Sequence, residues 1–232
     1  MRRNAPLSIR LVFIVSVILV ANSSFAEPSD HQENIPNLTR SSMPFQIAIL
    51  NPVQVFDENK DITGLRLSLL YVKNLDVTGI DLGFGINSAL NVTGIQIAGI
   101  FNNAAGYPDY NTLKGIQIAG IGNTTNHLYG VQIAGFGNGV TFDAVGIQVG
   151  LFGNVATNMK GIQIAGLYNY NYPKNNSITG IQVSLFNYAE NVTGIQIGLL
   201  NECVNLKGVQ FGLINHIVNG RFPFLPIINA QF

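Results

Sequence analysis

One short motif recurs through most of this chain, and its period constrains the fold more than any other feature. The unit reads glycine, aliphatic, glutamine, aliphatic, a small residue, two or three further residues and an asparagine, as in residues 94–102 (GIQIAGIFN). The opening glycines are Gly64, Gly79, Gly94, Gly115, Gly130, Gly146, Gly161, Gly180, Gly194 and Gly208. They are spaced 15, 15, 21, 15, 16, 15, 19, 14 and 14 residues apart, a period near 15 with two insertions. A helix is excluded, because glycine returns in every unit and costs a helix interior about 1 kcal/mol relative to alanine.

Within a unit, polarity alternates with period two, so the expectation is one strand per unit. In residues 194–201 (GIQIGLLN), Ile195, Ile197 and Leu199 share one face, and Gly194, Gln196, Gly198 and Leu200 share the other. Apolar β-branched residues favour a half-buried sheet surface. The isoleucine face is therefore expected to be the core, with Ile97, Ile118, Ile133, Ile164 and Ile197 buried and in sequential contact. On this reading a solenoid has its isoleucines inside and its glutamines outside. Units with one more residue before the asparagine suggest a bulge. The link is patterned too. A small or aliphatic residue falls two after the asparagine at Ala89, Ala104, Val140, Ala156, Ala189, Cys203 and Ile217. Another apolar residue falls two before the next glycine at Val77, Val92, Leu113, Leu128, Met159, Ile178, Val192 and Leu206. Both sets are expected to point inward.

Two all-β architectures fit tandem units of this length. In a β-solenoid each unit is one coil, and stacking buries a core that an isolated unit cannot. In a closed or shallow antiparallel β-barrel each unit is one strand, and successive turns lie at opposite ends. Every link resembles the next here, which favours the solenoid. Both long insertions fall in odd-numbered gaps and the chain ends in Phe232, which suits an outer-membrane barrel. Trp is absent, however, and strands of seven to nine residues are short for a membrane span.

The glutamine recurs at Gln96, Gln117, Gln132, Gln148, Gln163, Gln182, Gln196 and Gln210. A neutral carboxamide can bond to its copy on the next strand without repulsion, so the row reads as a structural ladder. The first two units carry Arg66 and Asp81 in this slot. Opposite charges there should form an ion pair between neighbouring strands. The closing asparagines, from Asn87 to Asn215, suit turns, since asparagine tolerates left-handed geometry.

Little in the array points to catalysis. Charged residues make up only 10% of the chain, and it has a single cysteine. Cys203 occupies the small apolar slot and reads as core. His127 and His216 read as turn residues. The G-x-Q-x-x-G spacing is no phosphate loop, because no lysine follows and no helix opens. No catalytic, cofactor-binding or metal-ligating residue is assigned. Net charge is zero at neutral pH, which leaves no electrostatic footprint for nucleic acid. The candidate binding loops are the two tyrosine-rich insertions, with Tyr107 and Tyr110 in one and Tyr170 and Tyr172 in the other. All four are expected to be exposed on one side.

The N-terminus reads as an address. Arg2, Arg3 and Arg10 precede an eleven-residue apolar run, residues 11–21, and small residues follow at Ser24 and Ala26. That is a secretory signal with its cut after Ala26. Residues 27–43 are polar and contain two prolines, as expected of a flexible leader. Residues 44–232 form the repeat domain. The repeats, the proline-marked opening PFQIAILNPVQVF and the aromatic-ending tail FPFLPIINAQF together resemble a family of exported bacterial surface-repeat proteins with tandem G-[IL]-Q-[IL]-G-L-x-N units. The resemblance covers about residues 44–232 and implies envelope placement, with no catalytic residue to carry over. Outer-membrane or cell-surface placement rests on it and on Phe232. The expectation is an exported, non-enzymatic envelope repeat protein with a structural or binding role, whose partner is an unidentified ligand or envelope component. A secreted enzyme is the weaker alternative.

Overall fold

The computed structural model describes residues 40–105, 111–172 and 175–232. The signal segment, the leader up to Thr39, Tyr107 and Tyr110 lie outside the described residues. The repeat domain is a β-solenoid of about 11 parallel coils, with repeats about 15 residues apart. The antiparallel barrel does not form, because neighbouring repeats pair parallel.

Each coil has two limbs joined by a two-residue corner. In one coil the glycine limb is Asn91–Ala98 and the asparagine limb is Phe101–Ala104. Glycine limbs stack only on glycine limbs: Asn91–Ala98 pairs parallel with Thr112–Ala119, which pairs with His127–Ala134. Asparagine limbs stack likewise, Phe101–Ala104 on Gly122–Thr125. A repeat therefore contributes two strands rather than one, because its link alternates in polarity and forms ladder hydrogen bonds of its own. In later coils the asparagine limb runs unbroken into the next glycine limb, as in Gly153–Ala165. The extra residue of the longer units is absorbed between the paired limbs, not in a bulge: Ile164 pairs with Val183 and Tyr168 with Phe186, so residues 165–167 of a long unit stand against residues 184–185 of a short one.

Among the described residues, antiparallel pairing occurs only at the ends of the array. Val53–Gln54 folds back on Ser42–Leu50, and Phe224–Gln231 folds back on Leu200–Ile217. The C-terminal strand covers most of the last rung, which would otherwise template another chain, while Val53–Gln54 covers only Ala48 and Leu50 of the first. Ser42–Leu50 is itself a coil, for Gln46 stands in register with Arg66. The sequence PFQIA is thus a GIQIA unit with proline at the glycine position.

The link residues face inward as their spacing suggested. Val77, Val92, Leu113, Leu128, Met159, Ile178, Val192 and Leu206 are buried, as are Ala89, Ala104, Val140, Ala156, Ala189, Cys203 and Ile217. They form one continuous aliphatic core. The glycine limb itself is inverted relative to expectation. Gln96, Gln117, Gln132, Gln148, Gln163, Gln182, Gln196 and Gln210 are all fully buried. Ile97, Ile133, Ile164 and Ile197 are 37–43% exposed, and Ile118 is half-buried. The reason is strand parity. Leu128, Gly130 and Gln132 are two residues apart, so if the leucine points inward the glutamine must as well. The solenoid stands with its glutamines inside.

All ten motif glycines have φ between +127° and +149°, a region essentially reserved for glycine. They also stack in register, so a Cβ on Gly161 would lie 2.0 Å from the carbonyl oxygen of Gly146. Backbone conformation and close approach both exclude any other residue.

The inversion has a measurable consequence. Leu128→Ala should lower unfolding free energy by about 2–5 kcal/mol, as for a fully buried leucine. Ile133→Ala, in the same strand, should cost under about 1 kcal/mol. Urea unfolding of the two variants checks this, and the reverse order would contradict the assignment of faces.

Candidate functional site

Two carboxamide ladders run the length of the core. In the first, each glutamine Nε2 donates to the Oε1 of the preceding coil: Gln117 to Gln96 at 2.7 Å, Gln132 to Gln117 at 2.9 Å, and onward to Gln210 on Gln196 at 2.7 Å. Gln96 donates to Asp81 Oδ2 at 2.8 Å. The carboxylate can only accept, so it fixes the donor direction of every amide behind it. Arg66 completes that end, its Nε and Nη2 donating to Asp81 Oδ1 and Oδ2 at 2.8 and 2.6 Å. The pair lies on neighbouring strands, on the same face, and both side chains are fully buried.

The second ladder is made by the asparagines that the sequence suggested as turn residues. They are buried strand residues; the only non-glycine residues with positive φ among those described are Asn175 and Ile227. Each asparagine Nδ2 donates forward, Asn123 to Asn138 Oδ1 at 2.9 Å and Asn138 to Asn154 at 2.9 Å. The same Nδ2 also donates across the corner, Asn123 to the Ile133 carbonyl at 2.8 Å. Both amide protons are thereby used, and the two limbs are tied together. The ladders donate in opposite directions, so their dipoles oppose. The residue four after each glycine is small because the asparagine amide fills its space: a Cβ on Gly83 would lie 2.0 Å from Asn87 Oδ1.

Cys203 is fully buried, and burial, with Glu202 nearby, pushes its thiol up to about 12. His127 and His216 sit in strands rather than turns, stacked on Phe142 and Phe224 and each 3.6 Å from a carboxylate, Asp143 and Glu202. Among the described residues no three His, Cys, Asp or Glu gather as a metal site. Of the tyrosines, Tyr170 stacks on Tyr188 with ring centroids 5.0 Å apart, and Tyr172 is 49% exposed. Burial, then Tyr170 and the nearby acids, pushes the Tyr188 hydroxyl up to about 12. Burial and Tyr172 raise Tyr170 also. Tyr170 therefore extends a stacked outer row of the solenoid, a role the loop-based reading missed because Tyr188 lies outside the insertion.

The most unusual surface is the outside of the glycine limb and its corner. Rows of leucine, isoleucine, valine and phenylalanine stack in register there, including Leu67, Leu82, Ile97, Ile133, Ile164 and Ile197. From each motif glycine to the next asparagine, the ten repeats contain three charged residues, the buried Arg66 and Asp81 and the exposed Lys73 at the far end of the first repeat. The outward row three before each motif glycine is polar, by contrast: Asn91 Nδ2 donates to Asp76 Oδ1 at 2.8 Å, Asn158 to Asp143 at 2.9 Å, and Asn205 to Asn191 at 2.8 Å. In cross-section the solenoid is amphipathic. At the first coils the aliphatic face dips into a shallow groove of about 480 Å³, lined by Ile47, Ile49, Leu67, Leu69, Leu82, Phe84 and Ile97 among others.

Fold and site together define a capped, amide-cored β-solenoid of the tandem-repeat class. No family model, curated protein or solved structure matches the chain.

The Arg66–Asp81 pair offers a test of the ladder. Arg66→Ala strands a buried carboxylate and should cost about 3–5 kcal/mol. The double variant Arg66→Gln/Asp81→Gln continues the neutral ladder and should recover to within about 1 kcal/mol of the parent, measured by urea denaturation. A double variant no more stable than the single would show that the slot does not accept a ladder amide.

Proposed function

We propose that the protein is an exported, non-enzymatic repeat protein of a bacterial envelope, and that its work is to present a long aliphatic face for docking. The observation that carries this is the outward placement of the isoleucine rows. Coils stack at about 4.8 Å and residues advance about 3.3 Å, so ten coils of this face span roughly 1,000 Å². The largest apolar patch on a typical monomer is about 300–600 Å², and larger ones mark interaction surfaces. The signal-like residues 1–26 and the resemblance of residues 44–232 to exported surface-repeat proteins support the placement in the envelope. Amide ladders supply stiffness, which suits a scaffold.

Cell fractionation tests the proposal. The mature chain should begin at Glu27, sediment with envelopes, and be released by carbonate or urea, as expected of a protein docked through one face. Recovery in the cytoplasm with an intact N-terminus, or in the soluble fraction without any wash, would contradict it. Retention until detergent is added would indicate a spanning protein instead.

A further inference from the structure

Resting on that docking reading, we propose that the occupant of the aliphatic face is an anionic lipid surface, on which the solenoid lies with its coil axis in the plane of the interface. The argument comes from how charge is distributed around the coil. The face itself is uncharged. The exposed row immediately before the motif glycines forms its rim, and the charged residues there are Lys114, Lys160 and Lys207. No acid occupies this rim row. The three lysines recur at every third coil, so they stand roughly 14 Å apart in a straight line along one edge of the face. Tyr129 lies between them, 49% exposed, in register with Lys114.

Of the acids on the repeats, Glu202 lies in the asparagine limb, two residues beyond the exposed Leu200 on the other side of the face, and Glu190 lies in a link. Asp61, Asp76 and Asp143 occupy the polar row three before the glycine, where Asp76 pairs with Arg40 at 3.0 Å and Asp143 with His127 at 3.6 Å. Their coils are not those of the three lysines, whose positions in that polar row hold Thr112, Asn158 and Asn205.

An aliphatic face edged by lysine and tyrosine is the surface pattern of an interfacial amphipathic element, built here from a sheet rather than a helix. Lysine stems lie along apolar surface while their ammonium groups reach the headgroups, and tyrosine favours the same depth. A second copy of the chain fits less well. A twofold partner would bring the same uncharged face and the same three-lysine rim, against which the opposite edge offers a single acid, Glu202. At the C-terminal end the antiparallel strand Phe224–Gln231 occupies the edge on which a further parallel coil would stack.

The test is flotation of the mature chain with vesicles of phosphatidylcholine alone or with 30% phosphatidylglycerol, at low and high salt. Binding should favour the anionic vesicles by at least about tenfold and weaken as salt shortens the screening length. Lys114→Glu/Lys160→Glu/Lys207→Glu, at exposed positions, should abolish that preference while leaving circular dichroism and unfolding unchanged. Ile133→Ser/Ile164→Ser should weaken binding to both vesicle types. Equal binding to neutral and anionic vesicles, insensitive to the lysines, would overturn the proposal. So would a lipid-free dimer, by sedimentation, that the isoleucine variants dissociate. Envelope association in cells without any vesicle binding would leave the docking face intact and remove lipid as its occupant.

Discussion

A buried carboxamide is costly unless both its donor and its acceptor are satisfied, and this molecule buries one glutamine and one asparagine in nearly every coil. The partner that nearly every amide shares is its own copy about 4.8 Å away, with the second asparagine proton going to a main-chain carbonyl across the corner. That requirement fixes much of the rest. Coils must stack in register, because a shift of one residue would set amide against aliphatic side chain and orphan two groups per coil. Where a charge replaces an amide, the next coil must answer it, as Asp81 answers Arg66. The direction imposed by the Asp81 carboxylate then propagates through Gln96 as far as Gln210, whose Oε1 at the ladder's end has no partner.

With amides filling the corner side of the coil, the aliphatic core is confined to the residues two before each motif glycine and two after each asparagine, from Ile62 to Ile217. The remaining isoleucines of each unit have nowhere to go but outward. The aliphatic exterior is in this sense a consequence of the polar interior, since a two-faced strand that turns its glutamine in must turn its isoleucine out. Both insertions leave the coil at one place, after Ala104 and Asn171, at the end of the asparagine limb. Extra chain there disturbs neither ladder.

Much of this was legible in the residues. Periodicity gave the coils, the link pattern gave the aliphatic core, and the opposite charges at positions 66 and 81 gave the register of the first two repeats. The orientation of the glycine limb was misread because hydrophobicity was allowed to outrank parity. Leu113 and Ile118 are five residues apart on one strand and cannot both face inward, and placing Leu113 inside already placed Gln117 there. The asparagines were misread as turns because that residue is common in turns, whereas a recurrence in register at every coil is the mark of a ladder. The Gln46 coil was hidden by proline in the glycine slot. The tyrosine loops were legible only as composition: Tyr170 joins Tyr188 in a stack that no local motif announces.

The central claim is that the glutamine carboxamides are interior and bonded to one another, and side-chain hydrogen exchange reads this directly. After transfer of ¹⁵N-labelled protein into deuterated buffer, the carboxamide protons of Gln117, Gln132, Gln148 and Gln163 should persist for hours, while those of the exposed Asn205 and Asn219 disappear within the dead time. Ladder glutamines exchanging as fast as Asn219 would show that they face solvent, and the account of the fold given above would fail.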